Sequence, residues 1–111
     1  MADLIRMTAA QVVEGLQRGD ITPLDCLDAL EARIATVDGA VNALPTRCFD
    51  RARRNARKLM DKPPSERGIL AGLPLPIKDL TDVAGVRSTQ GSCIYRDRIA
   101  ETSDLLVTHL E

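Results

Sequence analysis

The chain has 111 residues, a formal net charge of -1 at pH 7, 44% apolar residues and 2% aromatic residues. Its length suits one small domain, and its apolar fraction excludes an intrinsically disordered chain. The near-neutral charge and the scarcity of aromatic rings give no general affinity for nucleic acid or for an anionic membrane.

The cysteines and the N-terminal segment bear on the cellular compartment. Cys26, Cys48 and Cys93 are odd in number and lack C-x-x-C spacing, which disfavours a disulfide framework and a zinc site. Reduced thiols are therefore expected. The segment "MADLIRMTAAQ" lacks the apolar region of a signal peptide, and no apolar run approaches the length of a membrane span. We expect a cytoplasmic protein with no metal and no membrane contact.

Two amphipathic helices are predicted at the start of the chain, over residues 9–18 and 23–37. Both segments place apolar residues three and four positions apart, the spacing that forms one buried face of a helix. Threonine is a favoured N-cap, proline is favoured in the first turn, and glycine commonly follows the C-terminus. The residues expected in these roles are Thr8 and Gly19 for the first helix and Thr22, Pro23 and Gly39 for the second.

A third helix is predicted within the basic segment 47–62, which holds 7 basic and 2 acidic residues. Phe49 and Ala56 share an apolar face, whereas Arg54 and Lys58 lie on another. A basic face exposed to solvent is the simplest interpretation. The alternative is a non-catalytic interaction module, or a remnant of an enzyme, that binds an acidic partner or RNA through this helix. No RNA-binding motif accompanies the basic segment, so no nucleic-acid partner is expected.

The chain changes character after the two prolines at 63–64. Pro74 and Pro76 interrupt "GILAGLPLPIKDL" and exclude a helix there, because an internal proline costs about 3 kcal/mol. We expect an edge strand or an irregular strand that ends at Lys78. The stretch "TDVAGVRSTQGS" then predicts further extended chain with glycine turns.

A last helix is expected to start near Asp104, with Thr102 or Ser103 as its cap. The chain stops at Glu111, before this helix reaches the roughly 12–15 residues that make an isolated helix marginally stable in water. We therefore expect a chain that is truncated within an element.

Spacing alone leaves two interpretations of Lys78. A lysine at the end of an extended segment can pair with Asp79 or Asp82 in water. A buried lysine instead disfavours its charged form, and its neutral amine can then act as general base for a serine. The hydroxyl residues that follow are favoured as turn residues that bond their own backbone. These residues are Ser88, Thr89 and Ser92.

The stretch "GILAGLPLPIKDLTDVAGVRSTQGS" closely resembles the opening of the amidase signature family, whose pattern is L-A-G-(L/I/V)-P-x-x-x-K-D-x-x-D-V-x-G-x-x-(S/T)-T-x-G-S. The segments "VNALPTRCFDRAR" and "ETSDLLVTHLE" also resemble that family, so the similarity covers most of the chain. The family includes amidases, indoleacetamide hydrolases and one component of the tRNA-dependent amidotransferase. The matching residues are Leu70, Ala71, Gly72, Pro74, Lys78, Asp79, Asp82, Gly85, Thr89, Gly91 and Ser92.

This resemblance implies a hydrolase with a Ser–cis-Ser–Lys mechanism, in which Lys78 is the catalytic base. The family's segment with both catalytic serines has no match here, so the chain contains no nucleophile and is expected to be inactive alone. Asp79, Asp82, Gly85 and Ser92 are expected to position the loop near the site. No metal or organic cofactor is implied, and the substrate of the complete enzyme is expected to be a small-molecule amide.

The fold class implied by the resemblance is α/β. Residues 1–62 are expected to form an N-terminal helical segment, and residues 63–111 an incomplete start of the amidase signature core with the first strand or strands of its mixed sheet. A homodimer or a complementing chain that supplies the missing serines is the expected kind of protein partner.

Overall fold

The structure is a computed structural model, and it describes residues 3–111. It divides into two compact units, of which the first ends at Pro74 and the second comprises Leu75–Glu111. The predicted domain division at residue 62 stays a prediction about the complete fold. The α-helices of the described residues are α1 (Ala9–Arg18), α2 (Pro23–Val41), α3 (Phe49–Met60) and α4 (Leu105–Leu110). Short 3-10 helices cover Leu4–Arg6, Pro64–Glu66 and Cys93–Tyr95.

Helix α1 has the predicted bounds because both of its ends are specified locally. The Thr8 hydroxyl accepts from the Gln11 amide at 3.3 Å, and the Gln11 side chain accepts from the Thr8 amide at 2.8 Å. These two bonds form a capping box, which satisfies amides that have no partner within the helix. At the other end, Gly19 adopts the left-handed conformation with φ of 77°.

Helix α2 starts as predicted, with Thr22 and Asp25 in a second capping box, but it continues beyond residue 37 to Val41. The prediction that Gly39 ends it is therefore wrong. The left-handed residue is Asn42 instead, with φ of 53°. The Asp38 carboxylate accepts from the Ala43 amide at 2.7 Å, which satisfies a donor just beyond the helix. This local bond, rather than the glycine, sets the end of α2.

The core of the first unit is aliphatic, as the composition predicts. Leu16 is fully buried, and it clusters with Val12, Cys26 and Ala71. Gly72 lies directly against this core, because a Cβ atom built on it would stand 2.5 Å from Cγ of Pro23. The "LAG" stretch thus packs on the helical unit and leads from it toward Lys78.

The second unit contains no regular strand within the described residues, so the strand predicted to end at Lys78 is not formed here. Residues 73–78 have no regular secondary structure and form no ladder of hydrogen bonds. Pro74 and Pro76 lack the amide donors that such a ladder requires. One isolated antiparallel bridge joins Arg87 and Ile99.

Helix α4 starts at Leu105 with Asp104 as its N-cap residue, so neither Thr102 nor Ser103 is the cap. The Ser103 hydroxyl instead accepts from the Ala84 amide at 2.9 Å. No helix among residues 3–111 combines the length and the apolar character that crossing a membrane requires.

Candidate active-site loop

Lys78 stands at the junction between the irregular segment 73–78 and a loop closed by hydrogen bonds. We name residues 78–92 the Lys78 loop. The carbonyl of Lys78 accepts from the Thr81 amide at 2.9 Å, which starts the first turn of the loop. Its side chain is exposed, and its ammonium pairs with neither Asp79 nor Asp82. The ion pair considered from spacing is therefore not formed, because both carboxylates are engaged elsewhere.

Asp79 connects the start of the Lys78 loop to its far side through hydrogen bonds. One carboxylate oxygen accepts from the Thr89 amide at 2.8 Å, and the other accepts from the Thr89 hydroxyl. The Asp79 carbonyl also accepts from the Gln90 amide at 3.2 Å. The bonds from the Thr89 hydroxyl and amide, with a smaller effect of the Arg87 charge, hold the pKa of the Asp79 carboxyl below its usual range. Asp79, the residue that follows Lys78, is thus held by hydrogen bonds to both its side chain and its backbone.

Asp82 is the centre of a second set of bonds. Arg98 donates from Nη1 to Oδ1 at 2.8 Å and from Nη2 to Oδ2 at 2.6 Å, the bidentate geometry that suits a guanidinium and a carboxylate. The buried hydroxyl of Ser88 donates to Oδ1 at 2.7 Å, and the Gln90 side-chain amide donates at 3.2 Å. The Arg98 bonds, followed by the Ser88 bond, hold the pKa of the Asp82 carboxyl well below its usual range.

Asp82 also connects the Lys78 loop to the start of α4. Its amide donates to the Asp104 carboxylate at 2.8 Å, and its carbonyl accepts from the Asp104 amide at 3.0 Å. The Ser103 bond to Ala84 lies beside this pair. Asp104 therefore fixes the loop and makes no side-chain cap bond to its own helix.

The remaining predicted loop residues lie at turns. Gly85 has φ of 76°, and its amide donates to the Ala100 carbonyl at 2.8 Å. Gly91 has φ of 69°, directly after Gln90, which is also left-handed. The Ser92 hydroxyl accepts from the Ile94 amide at 3.2 Å and so caps the short helix that follows. Substituting either glycine would strain the backbone, because other residues rarely adopt these angles.

The hydroxyl groups of the Lys78 loop are engaged in holding the loop together. The hydroxyls of Ser88 and Thr89 donate their protons to carboxylates that hold the loop, which leaves neither of them placed as a nucleophile. Within residues 3–111 no group of three or more His, Cys, Asp and Glu side chains could hold a metal ion. What the loop presents is one lysine amine beside a tightly bonded turn.

The structure brings Asp79 and Asp82 together with partners that the sequence does not assign. Thr89 is expected from the sequence as a turn residue and as a match to the family pattern, without an assigned partner, and no motif marks Arg98. The donor to Asp82 cannot be found from spacing, because Arg87, Arg96 and Arg98 all follow it within 16 residues. Only the folded backbone, which bonds the Ser88 amide to the Arg98 carbonyl at 2.9 Å, brings Arg98 to the carboxylate.

The basic segment 47–62 is partly engaged within the first unit. Arg53 of α3 donates to Asp28 at 2.7 Å and to Glu31 at 2.6 Å, and both acids belong to α2. Arg47 pairs with Asp38 at 3.3 Å. Arg53 therefore links α3 to α2, and Arg47 links the segment before α3 to α2.

Comparison with known proteins points to one family. The sequence model of the Amidase family matches residues 25–111. The chain is 32% identical to an amidase of Pseudomonas putida, over 83% of this chain and 20% of that protein. It is 34% identical to a component of the glutamyl-tRNA(Gln) amidotransferase of Streptomyces coelicolor, over 85% of this chain and 19% of that protein.

One solved structure is also similar in three dimensions. It comes from a vestigial protein complex that reveals the evolutionary origins of an s-triazine catabolic enzyme. The TM-score is 0.83 at 32% sequence identity, and the match covers 94% of this chain but 23% of that chain. The present chain thus corresponds to a small part of each of these proteins.

Proposed function

This chain belongs to the Amidase family, and we propose that it forms the N-terminal part of an amide hydrolase. The proposed reaction converts a small-molecule amide and water into a carboxylate and ammonia or an amine. The observation that best supports this function is the contrast at the start of the Lys78 loop. The two carboxylates nearest to Lys78 in the chain are bonded to the loop, whereas the lysine amine is engaged by neither of them.

In the proposed mechanism, Lys78 acts as general base in its neutral form. It takes a proton from a bridging serine, which takes one from the nucleophilic serine as that oxygen attacks the amide carbonyl. Backbone amides stabilise the oxyanion, the amine leaves with a proton, and water hydrolyses the acyl-enzyme. Neither serine has a match within residues 1–111, so the 111-residue chain alone is proposed to be inactive. No metal or organic cofactor takes part.

We assign Asp79, Asp82, Gly85 and Ser92 to positioning the Lys78 loop. This role is supported by the hydrogen bonds that the carboxylates of Asp79 and Asp82 accept, and by the turns at Gly85 and Gly91. In the complete α/β fold, segment 73–78 is proposed to gain a neighbouring strand of the mixed sheet. Burial there would favour the neutral amine. We also propose that the protein is cytoplasmic. Its proposed protein partner is a second copy of itself or a complementing chain.

The test compares Lys78→Ala with the wild-type protein encoded by the complete open reading frame. Ammonia release from a panel of primary amides is measured for both. We expect Lys78→Ala to lower kcat by roughly 100-fold or more, because general-base catalysis contributes about 10²–10⁴. Lys62→Ala, which removes another exposed lysine of this chain, is the control and should keep full activity. Equal rates for Lys78→Ala and wild type would contradict the assignment of the base.

The rival function, binding of RNA or an acidic partner through the basic segment 47–62, has no comparable support. Arg47 and Arg53 form ion pairs within the unit. Exposed residues such as Arg54 and Lys58 remain, which is usual for a helix in water. Salt-sensitive RNA binding that Arg54→Ala and Lys58→Ala together abolish would revive this alternative.

A further inference from the structure

We propose that Arg98, which follows the motif ending at Ser92 and has no assigned role in it, is a positioning residue that fixes the Lys78 loop through Asp82. This inference rests on the proposed function of Lys78 as the base. Arg98 is not a catalytic residue in the sense of touching substrate. It acts through Asp82, whose two oxygens it binds at 2.8 and 2.6 Å.

Arg98 contacts Asp82 at two points, in a pair that is only partly exposed. Its two terminal nitrogens bind different oxygens of Asp82, so the carboxylate plane is fixed as well as its position. The same carboxylate accepts from Ser88, which is 2% exposed. The Arg98 carbonyl also accepts from the Ser88 amide at 2.9 Å. Side chain and backbone of Arg98 therefore hold both sides of one loop.

Arg98 is connected to the backbone at Lys78 through a short series of hydrogen bonds. Ser88, which Asp82 and Arg98 hold, directly precedes Thr89 in the chain. Thr89 donates two bonds to the carboxylate of Asp79, the residue after Lys78. Releasing Asp82 would free this side of the loop and, through Thr89, loosen the peptide that follows Lys78. A displacement of about 1 Å in a catalytic group can lower a rate by roughly 100-fold.

The first experiment measures amide hydrogen exchange of the 111-residue chain by NMR. Arg98→Gln is expected to speed exchange of the Thr89 amide by roughly tenfold, although Arg98 makes no bond to Thr89. Arg98→Lys keeps the charge without the bidentate fork, and should give an intermediate effect. Arg96→Gln removes an exposed arginine two residues away and should leave the rate unchanged. Unchanged Thr89 exchange in Arg98→Gln would overturn the proposal.

A double-mutant cycle shows whether Arg98 acts through Asp82. Asp82→Asn should speed Thr89 exchange as much as Arg98→Gln does, and the double variant should exchange no faster than either single variant. Additive effects would mean that Arg98 acts by another route and would also overturn the proposal.

The second experiment uses the protein from the complete open reading frame. Arg98→Gln should lower kcat by roughly 10- to 100-fold with little change in KM, and Arg98→Lys should recover part of that loss. Faster Thr89 exchange with an unchanged kcat would overturn the positioning role but leave Lys78 as the base. Absence of amide hydrolysis in the wild-type protein would overturn the proposed function, and the exchange experiment would still decide whether Arg98 holds the loop.

Discussion

The unit that ends at Pro74 and the unit Leu75–Glu111 are held together in different ways. The first has an aliphatic core around the fully buried Leu16. The second leaves large apolar side chains in solvent, among them Ile94 at 85% and Leu105 at 71% exposure. It buries Ala100 and Val107, and its loop is held by carboxylates that accept several hydrogen bonds each. Hydrophobic periodicity therefore defines the first unit, whereas hydrogen bonds between polar residues 10 to 22 positions apart define the loop of the second.

The largest expected difference between the units comes from removing an aliphatic side chain. Leu16→Ala should lower the free energy of unfolding by about 2–5 kcal/mol, because it leaves a cavity in a closed core. Leu105→Ala is the matched control and should change it by less than about 0.5 kcal/mol, since this side chain is mostly exposed. Urea titration followed by circular dichroism measures both. A loss at Leu105 as large as at Leu16 would show that the proposed contrast is wrong.

A smaller loss of stability is expected at Gly72, where the backbone itself packs against the core of the first unit. Gly72 has φ of 100°, and an added Cβ would lie 2.5 Å from Cγ of Pro23 and 3.0 Å from Cδ2 of Leu59. Gly72→Ala should therefore destabilise the chain by about 1–3 kcal/mol.

Gly39→Ala provides the opposite case, because Gly39 lies inside α2 with open space around its Cα. This change should stabilise the chain by up to about 1 kcal/mol. Thermal unfolding of both variants checks the pair. The two changes in stability need not have the same size. A Gly72→Ala variant as stable as wild type would contradict the close packing described for this residue.

The smallest effect concerns pH and the second unit. The folded loop lowers the pKa of the Asp79 carboxyl, so the unfolded chain binds the proton more readily. The stabilisation is therefore complete above the unfolded pKa of about 3.9 and is lost as the pH falls below it toward the folded pKa. Thr89→Val removes the hydroxyl bond and should raise the pKa of Asp79 toward the unfolded value.

The measurement is an NMR titration of the Asp79 carboxyl carbon in the folded chain, in Thr89→Val and in the urea-unfolded chain. Folded wild type should titrate at the lowest pH of the three. Coincident titration of the folded and unfolded chains would show that the bonds from Thr89 do not favour the carboxylate.

The sequence predicts elements whose ends are set by neighbouring residues. The bounds of α1 follow from Thr8 and Gly19, and both act within a few residues of the helix. Gly39 misleads the prediction of α2, because its cost within a helix is only about 1 kcal/mol. Packing and the Asp38 bond to Ala43 outweigh that cost.

The candidate site is predictable only in part. The family pattern points to Lys78, Asp79 and Asp82, but hydrophobic spacing says nothing about which donors reach a carboxylate. The predicted strand does not form, since its prolines limit pairing and no neighbouring strand exists among residues 3–111. Arg98 escapes prediction because a bidentate pair across 16 residues depends on the path of the folded loop.

The bonds that close the Lys78 loop also have a consequence for synthesis on the ribosome. They join Asp79 to Thr89, Asp82 to Arg98 and Asp82 to Asp104, at sequence separations of 10, 16 and 22 residues. Contacts of such short range close small loops, which is fast and loses little chain entropy. Once residue 104 has left the exit tunnel, every partner needed to shape the loop is present. The lysine-bearing turn can thus form during synthesis, as soon as residue 104 is free to fold.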